Sequence, residues 1–418
     1  MPLADPCVAA TLSGTPENYQ SLLSKLKPGD ILRLAPGLYM RGLPLHGLSG
    51  TPGKPILIVG DQSGTGTVFV ARPGANTVSI KNAAHLEVRS LRLDGAGFPV
   101  DAVKAEGTSA FAHHITLEDL TIVNHGVDQQ TVGISTKCPA WGWVIRGNVI
   151  RGAGTGIYLG NSDGGAPFAD GVIENNLIVD TLGYNLQIKH QNARSAAMPA
   201  EPTRTVIRHN VFSKAQSGSS GPLARPNVLL GHFPARGAGA DDGYEMYGNF
   251  FHENPNESLL QAEGSVVVHD NIFFNSTGDA LRIQPHHAPL RGVVLRHNTI
   301  VARGAGINLR GAEQLSRQDV ESNAVFAGRP ITGGKQRWNV TGDYEVAGDF
   351  LVAPFAKPGE MDFSPRGGGL DLTAASNGAL ADSEDFYGRR RRFAIAGAIT
   401  SGVEAPWRLD LIIPRGRQ

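Results

Sequence analysis

Cysteine is nearly missing from this chain: 418 residues include only Cys7 and Cys138. A fold stapled by several disulfides is thereby excluded. A single Cys7–Cys138 bridge and two separate thiols both remain open. Aromatic residues make up only 7%, so the core must be filled by Val, Ile and Leu. No run of about 18 apolar residues occurs, and no transmembrane helix is expected. Neither sign of charge is in excess, with Lys and Arg at 38 and Asp and Glu at 38. No global field therefore draws the chain toward nucleic acid or a membrane surface. The start, Met1-Pro-Leu-Ala-Asp-Pro-Cys7, has neither the basic nor the long apolar region of a signal peptide. It reads as a trimmed mature form of a secreted or periplasmic protein.

What the chain does have is a repeat. An apolar segment interrupted by asparagine recurs as Val144-Ile-Arg-Gly-Asn148-Val-Ile, Val172-Ile-Glu-Asn-Asn176-Leu-Ile, Val206-Ile-Arg-His-Asn210-Val-Phe, Val267-Val-His-Asp-Asn271-Ile-Phe and Val294-Leu-Arg-His-Asn298-Thr-Ile. A shorter strand precedes most of these: Gly156-Ile-Tyr-Leu, Asn185-Leu-Gln-Ile, Ala280-Leu-Arg-Ile and, near the end, Gly306-Ile-Asn-Leu. Units of roughly 20 to 40 residues that cannot bury their own apolar face must stack on one another. The expected fold is all-β, a parallel β-helix. A solenoid adds coils to one core without splitting, so residues 1–418 form one domain. The asparagines at 148, 176, 210, 249, 271, 298 and 323 read as a corner ladder, because Asn tolerates the left-handed conformation and satisfies backbone groups at a sharp bend. His209, His269 and His297, just before ladder positions, read as turn residues.

At the N-terminal end Leu22, Leu23 and Leu26 lie at helical spacing, and Lys27-Pro-Gly-Asp30 stops that helix before Ile31. A short helix here would cover the open end of the stack, which otherwise exposes core and strand edges. Residues 1–55 form this cap and opening segment, 56–330 the coils, and 331–418 an irregular Gly- and Pro-rich tail packed along the solenoid.

Two stretches carry a resemblance. Leu26-Lys-Pro-Gly-Asp-Ile-Leu-Arg-Leu-Ala-Pro-Gly-Leu-Tyr39, followed by Gly53-Lys-Pro-Ile-Leu-Ile58, resembles the opening segment of bacterial right-handed β-helix polysaccharide lyases of the chondroitinase B and alginate lyase type. Asp385-Phe-Tyr-Gly-Arg-Arg-Arg391 is similar to their closing segment, Asp-Phe-x-Gly-x-x-Arg. The resemblance implies a right-handed, pectate-lyase-like helix. It also implies a catalytic Lys on one strand, preceded by acidic residues that hold calcium. Lys189 stands at the comparable place, but Thr181-Leu-Gly-Tyr184 before it carries no carboxylate. For calcium, Asn161, Asp163 and Asp170 in the neighbouring loop are the best oxygen donors, and a Gly-rich turn explains them equally well.

Alternation along the shorter strands, with Ile157 and Leu159 inward, places Tyr158 outward. The same register yields an outward column of Ser79/Lys81, Lys104/Glu106, Ser135/Lys137, Tyr158/Gly160, Gln187/Lys189, Leu229/Gly231, Gln261/Glu263, Arg282/Gln284 and Asn308/Arg310. Cations outnumber anions on this face of a neutral chain, with Gln, Asn and Tyr interleaved. That mixture suits an elongated anionic polysaccharide, bound by a monomer. The long segments 161–170, 191–204 and 233–243 follow the strand in the middle coils and would wall a cleft.

The cleft centres on Lys189 and His190, then His232, Glu263 and Arg282, with Lys137, Tyr158, Gln187, Gln284 and Arg310 as further contacts. β-Elimination of a uronate polymer needs a base for the proton beside the carboxylate and a cation for the charge that develops there. Lys189 is the candidate base and Arg282 or Arg310 the carboxylate clamp. His190 or His232 would replace the base or return a proton to the leaving oxygen. Hydrolysis needs two carboxylates within about 5 to 9.5 Å, whereas Glu106 and Glu263 are about five coils, or ~24 Å, apart. Loop aspartates Asp163, Asp170, Asp241 and Asp242 keep hydrolysis open. Uronate epimerisation shares the proton abstraction, and a non-catalytic binding or adhesive solenoid would use the same face. The pair His286-His287 invites a metal, but adjacent histidines point apart and no carboxylate lies at ligand spacing in sequence.

Overall fold

The computed structural model describes residues 9–107, 111–315, 317–376, 383–400 and 409–413. Each full coil contributes three strands, such as Val144–Arg146, Val149–Arg151 and Thr155–Leu159. These pair in parallel with the next coil's Val172–Glu174, Leu177–Val179 and Leu186–Ile188. The solenoid therefore has three faces. The segment read from sequence as one strand interrupted by asparagine is two strands meeting at a corner. Inward Val, Ile and Leu from all three faces form one continuous core from Leu32 to Val325. Among the described residues no helix is long and apolar enough to cross a membrane.

The corner is held by side-chain amides. Asn176 Oδ1 accepts from the backbone N–H and from Nδ2 of Asn148, both at 2.9 Å. The same double acceptance runs on through Asn210, Asn249, Asn271, Asn298 and Asn323. It ends at Asn339, one rung beyond the expected ladder. Each Nδ2 also donates to a backbone carbonyl of the preceding coil, as from Asn210 to Ile173 at 2.9 Å. The left-handed backbone expected at the asparagines belongs instead to the residue before each, with φ of 55° at His209, 53° at Asp270, 51° at His297 and 57° at Ser322. The preceding residue makes the bend, which leaves the amide free to point into the corner. His209 and His297 are thus turn residues as expected. His269 is not: it ends the strand Val266–His269 and contacts Asp270 at 2.7 Å and Glu245 at 3.4 Å.

The expected cap is the helix Tyr19–Leu23. Tyr19 and Leu23 are buried, and the Tyr19 ring packs edge-on against Tyr39 and Phe69. At the other end the stacking outlasts the expected boundary. Ala324–Thr332, Lys335–Arg337 and Val340–Gly342 still pair with the coil before them. Described residues after Asp343 then lie on the second face, where outward Leu177, Val211, Phe250 and Phe274 pack in one cluster with Leu351, Phe363 and Phe386. Strands of that face are apolar on both sides for this reason. Cys138 is buried, and Cys7 lies outside the described residues.

The closing motif ties this tail down. Asp385 Oδ1 accepts from the N–H groups of Tyr387 at 2.9 Å and Arg389 at 3.0 Å. Arg391, fully buried, pairs with Asp270 at the ladder corner and donates to the Gly397 carbonyl at 3.0 Å. Burial drives the neighbouring His297 down to about 3, with Arg391 and Arg296 adding to the effect and Asp270 opposing it. Burial also pushes Asp270 upward, but Arg391 and the His269 hydrogen bond outweigh it and hold the carboxyl below its usual range. Both groups bind protons less readily folded than unfolded, so their stability is present at neutral pH and is lost as pH falls. For His297 the loss runs from about 6.5, its ordinary value, toward the depressed folded one.

Two outcomes follow. Asn249→Ala, which strands the backbone and side-chain N–H groups of Asn210 and takes a donor from the Ile207 carbonyl and Asn271 Oδ1, is expected to lower unfolding free energy by about 2–4 kcal/mol, measured by denaturant titration. His297→Asn keeps a residue suited to positive φ, and is expected to flatten the decline of stability between about pH 6.5 and pH 3. An unchanged slope would reject that role for His297.

Candidate functional site

The outward column holds in register along the third face. Ser79, Lys104, Ser135, Tyr158, Gln187, Leu229, Gln261, Arg282 and Asn308 are successive cross-strand partners. What the column could not reveal is which of its charges are already answered. Lys81 and Lys104 each lie 3.4 Å from Glu106. Arg282 pairs with Glu257 and Asp279, both at 3.2 Å. Those two acids sit in the turns just ahead of the third-face strands, outside the alternating pattern. Arg310 is exposed and donates from Nε to Asn308 at 3.0 Å. The two arginines expected as carboxylate clamps thus differ in their surroundings, Arg282 between two carboxylates and Arg310 beside an amide. Arg282 lines the cleft while paired with these two acids, and Arg310 lies outside the cleft lining.

Lys137 and Lys189 make no ion pair among the described residues. Lys137 Nζ stands 3.3 Å from the centre of the Tyr158 ring. Burial lowers its ammonium to about 8, opposed by Asp101 and assisted by Lys104 and Lys189. Lys189 is likewise lowered by burial, with Glu263 opposing. Two unpaired lysines flanking one tyrosine make this stretch of the face locally cationic.

The cleft has a volume of about 270 Å³ and contains Gln187, Lys189, His190, Glu263, Arg282 and Gln284 from the expected set. Lys137 and Tyr158 lie upstream on the same column. His232 lines an adjoining hollow of about 200 Å³ and shares Glu263 with the cleft. The lining also includes Tyr184, Gln261, His286 and His287, which the sequence reading did not select as site residues. A signal for the histidines existed: like His190 and His232, they follow the outward strand of their coil. Burial raises the Tyr184 phenol above its ordinary value. Glu263 is only 6% exposed, and its Oε2 lies 2.8 Å from His287 Nδ1. No carboxylate lies at ligand spacing from His286-His287 along the sequence, but Glu263 reaches them from the preceding coil. His190 stacks on His287 and His232, with ring centres 4.6 and 5.5 Å away.

The walls are locked to each other. Arg194, in the segment after His190, makes a buried ion pair with Asp242 of the segment after Phe233 and donates to the Glu201 carbonyl at 2.8 Å. Asp242 Oδ1 also accepts from the Thr203 N–H at 2.8 Å. The third wall joins them where Asn192 donates to the Asp163 carbonyl at 2.9 Å. Within that wall Asp163 and Asn161 accept backbone N–H groups of Gly165 and Ala166 at 2.7 and 2.8 Å, and Asp170 is exposed at φ 51°.

With this geometry in hand, known proteins can be compared. The family described as "Right handed beta helix region" matches residues 132–313. The chain folds as a right-handed parallel β-helix. A mutant of the PL6 family alginate lyase AlyGC superposes on this β-helix with a TM-score of 0.51 at 13% identity, covering 79% of this chain and 51% of that one. The GH136 lacto-N-biosidase from Eubacterium ramulus gives 0.50 at 12% identity, over 80% and 68%. Pectate lyase Pel9A gives 0.49 at 12% identity, over 96% and 92%. The β-helix spans about half the length of the alginate lyase chain it resembles. At such identities the likeness is one of fold. No curated protein sequence matches the chain.

Removing one partner of the buried pair in the walls should be costly. Arg194→Ala leaves Asp242 uncompensated, at a cost of about 3–5 kcal/mol. Limited proteolysis is expected to cut within 191–204 or 233–243 in the variant while the coils stay intact. Equal resistance in variant and parent would show that the pair does not hold the walls.

Proposed function

We propose that this β-helix is a polysaccharide lyase that cleaves a uronate-containing polymer by β-elimination, with Lys189 as the base. The supporting observation is a lysine without a carboxylate partner among the described residues, set in a walled cleft on a column of amides. Gln187, Gln261 and Gln284 suit sugar hydroxyls and carboxylates, and Lys137 above Tyr158 extends the track for a further anionic ring. Lys189 Nζ takes the proton from C5, the C4–O bond breaks, a C4=C5 double bond forms, and the departing oxygen takes a proton. Tyr184, a phenol kept protonated by burial, lines the same cleft and is a donor for that last step. His190 is the second candidate for it.

Hydrolysis draws less support from the arrangement. Glu106 is about five coils from Glu263, and the nearer acids Glu257 and Asp279 are engaged by Arg282. Ultraviolet absorbance of new unsaturated ends, followed on alginates, pectates and glycosaminoglycans, tests the reading. Absorbance is expected to rise on at least one polymer and to fall about 10²-fold or more with Lys189→Ala, the scale of a lost proton-transfer catalyst. Lys137→Ala is expected to raise KM more than it lowers kcat. No rise on any of the polymers would reject elimination, and new reducing ends without absorbance would point to hydrolysis.

A further inference from the structure

Beside Lys189, on the cleft wall, three side chains from three successive coils converge. His232, Glu263 and His287 each offer a donor atom, and these atoms all lie within 4.8 Å of one another. We infer that His232, Glu263 and His287 form a binding site for a first-row transition-metal dication of the zinc type.

The donor set fits that class. Two imidazoles and one carboxylate suit zinc and its neighbours, whereas calcium favours oxygen donors alone. Glu263 Oε2 and His287 Nδ1 are 2.8 Å apart in a hydrogen bond, whose proton a metal would displace, and with bonds of about 2.0–2.2 Å the two atoms would part by roughly half an ångström to reach tetrahedral spacing. His232 is already oriented. Its Nδ1 lies 3.0 Å from the Phe233 carbonyl, which only accepts, so Nδ1 carries the hydrogen and Nε2 keeps its lone pair for a metal. Metal-bound histidines are commonly fixed in this way.

The electrostatics point the same way. Glu263 is buried, and the groups within 4.0 Å of it among the described residues are the imidazoles of His286 and His287, while the Lys189 ammonium acts on it only at longer range. A buried carboxylate without a full countercharge is costly, and a dication would supply one. Three protein ligands leave a coordination position open, the pattern of a reactive site and not of a purely structural one. Glu263 also lines the cleft that contains Lys189. If the lyase reading holds, the substrate carboxylate takes that open position. The metal then neutralises it, the role from which Arg282 is withheld by Glu257 and Asp279. The metal site rests on the side chains alone, and only this last role depends on the lyase reading.

The test uses the full chain, stripped with a chelator, dialysed, and titrated calorimetrically with Zn²⁺. One equivalent is expected to bind, with affinity falling at least about 10-fold in Glu263→Gln and in His287→Ala, the least that lost ligand-sphere contacts usually cost. His287 is well exposed, so its variant should fold, and melting of both variants without metal checks this. A separate histidine group, His85, His113 and His114, is removed in a His85→Ala/His113→Ala control, which is expected to leave this equivalent in place. Absence of Zn²⁺ binding, or binding that survives both substitutions or is lost in the control, overturns the site. Binding with no ultraviolet product on any polymer would keep the site and reject the lyase reading. Product formation that ignores metal removal would keep the lyase reading and reject the metal's role.

Discussion

The structure depends on the satisfaction of polar groups inside a tight corner. Every coil must turn from its first to its second face with its backbone amides buried, and such groups are costly without partners. From the corner at Leu120 onward the asparagine ladder meets the need, each coil's amide serving as acceptor for the coil before it. A rung out of place would break two hydrogen bonds at once. The ladder therefore sets the vertical registration of the stack, and the outward column on the third face inherits it. Tyr158, Gln187, Leu229, Gln261 and Arg282 stand in line because the corners are in line.

Within that frame, charge pairing divides a face on which cations outnumber anions in sequence into distinct stretches. Glu106 answers two lysines near the N-terminal end, while Glu257 and Asp279 answer Arg282 in the cleft lining. Between them Lys137 and Lys189 are left without carboxylate partners. Desolvation then weakens the hold of both lysines on their protons, since burial disfavours the ammonium form. The electrostatics of the cleft thus arise as much from acids placed just outside the column as from the lysines on it.

The loops and the tail serve different faces. Arg194 and Asp242 bind two cleft walls into one unit, so the third face has a floor of strands and connected sides. The tail instead covers the second face, with Arg391 reaching through to Asp270 at the corner. One face is closed by apolar packing, and another keeps an open cleft.

The sequence by itself determined the solenoid, because alternation and the recurring asparagine are local patterns that report directly on stacking. It also determined the outward column, since a strand period of two leaves no freedom once one coil's register is known. It placed Lys189, His190 and Glu263 together, from coil counting alone. Tertiary structure decided what counting cannot reach. The bend falls on the residue before each asparagine, the stack runs on to Gly342, Arg282 is neutralised, and Glu263 meets His287. Each of these turns on contacts between coils, or on turn residues whose direction follows no repeat. The physical reason is that periodicity specifies which face a side chain occupies, but not which partner from another coil reaches it.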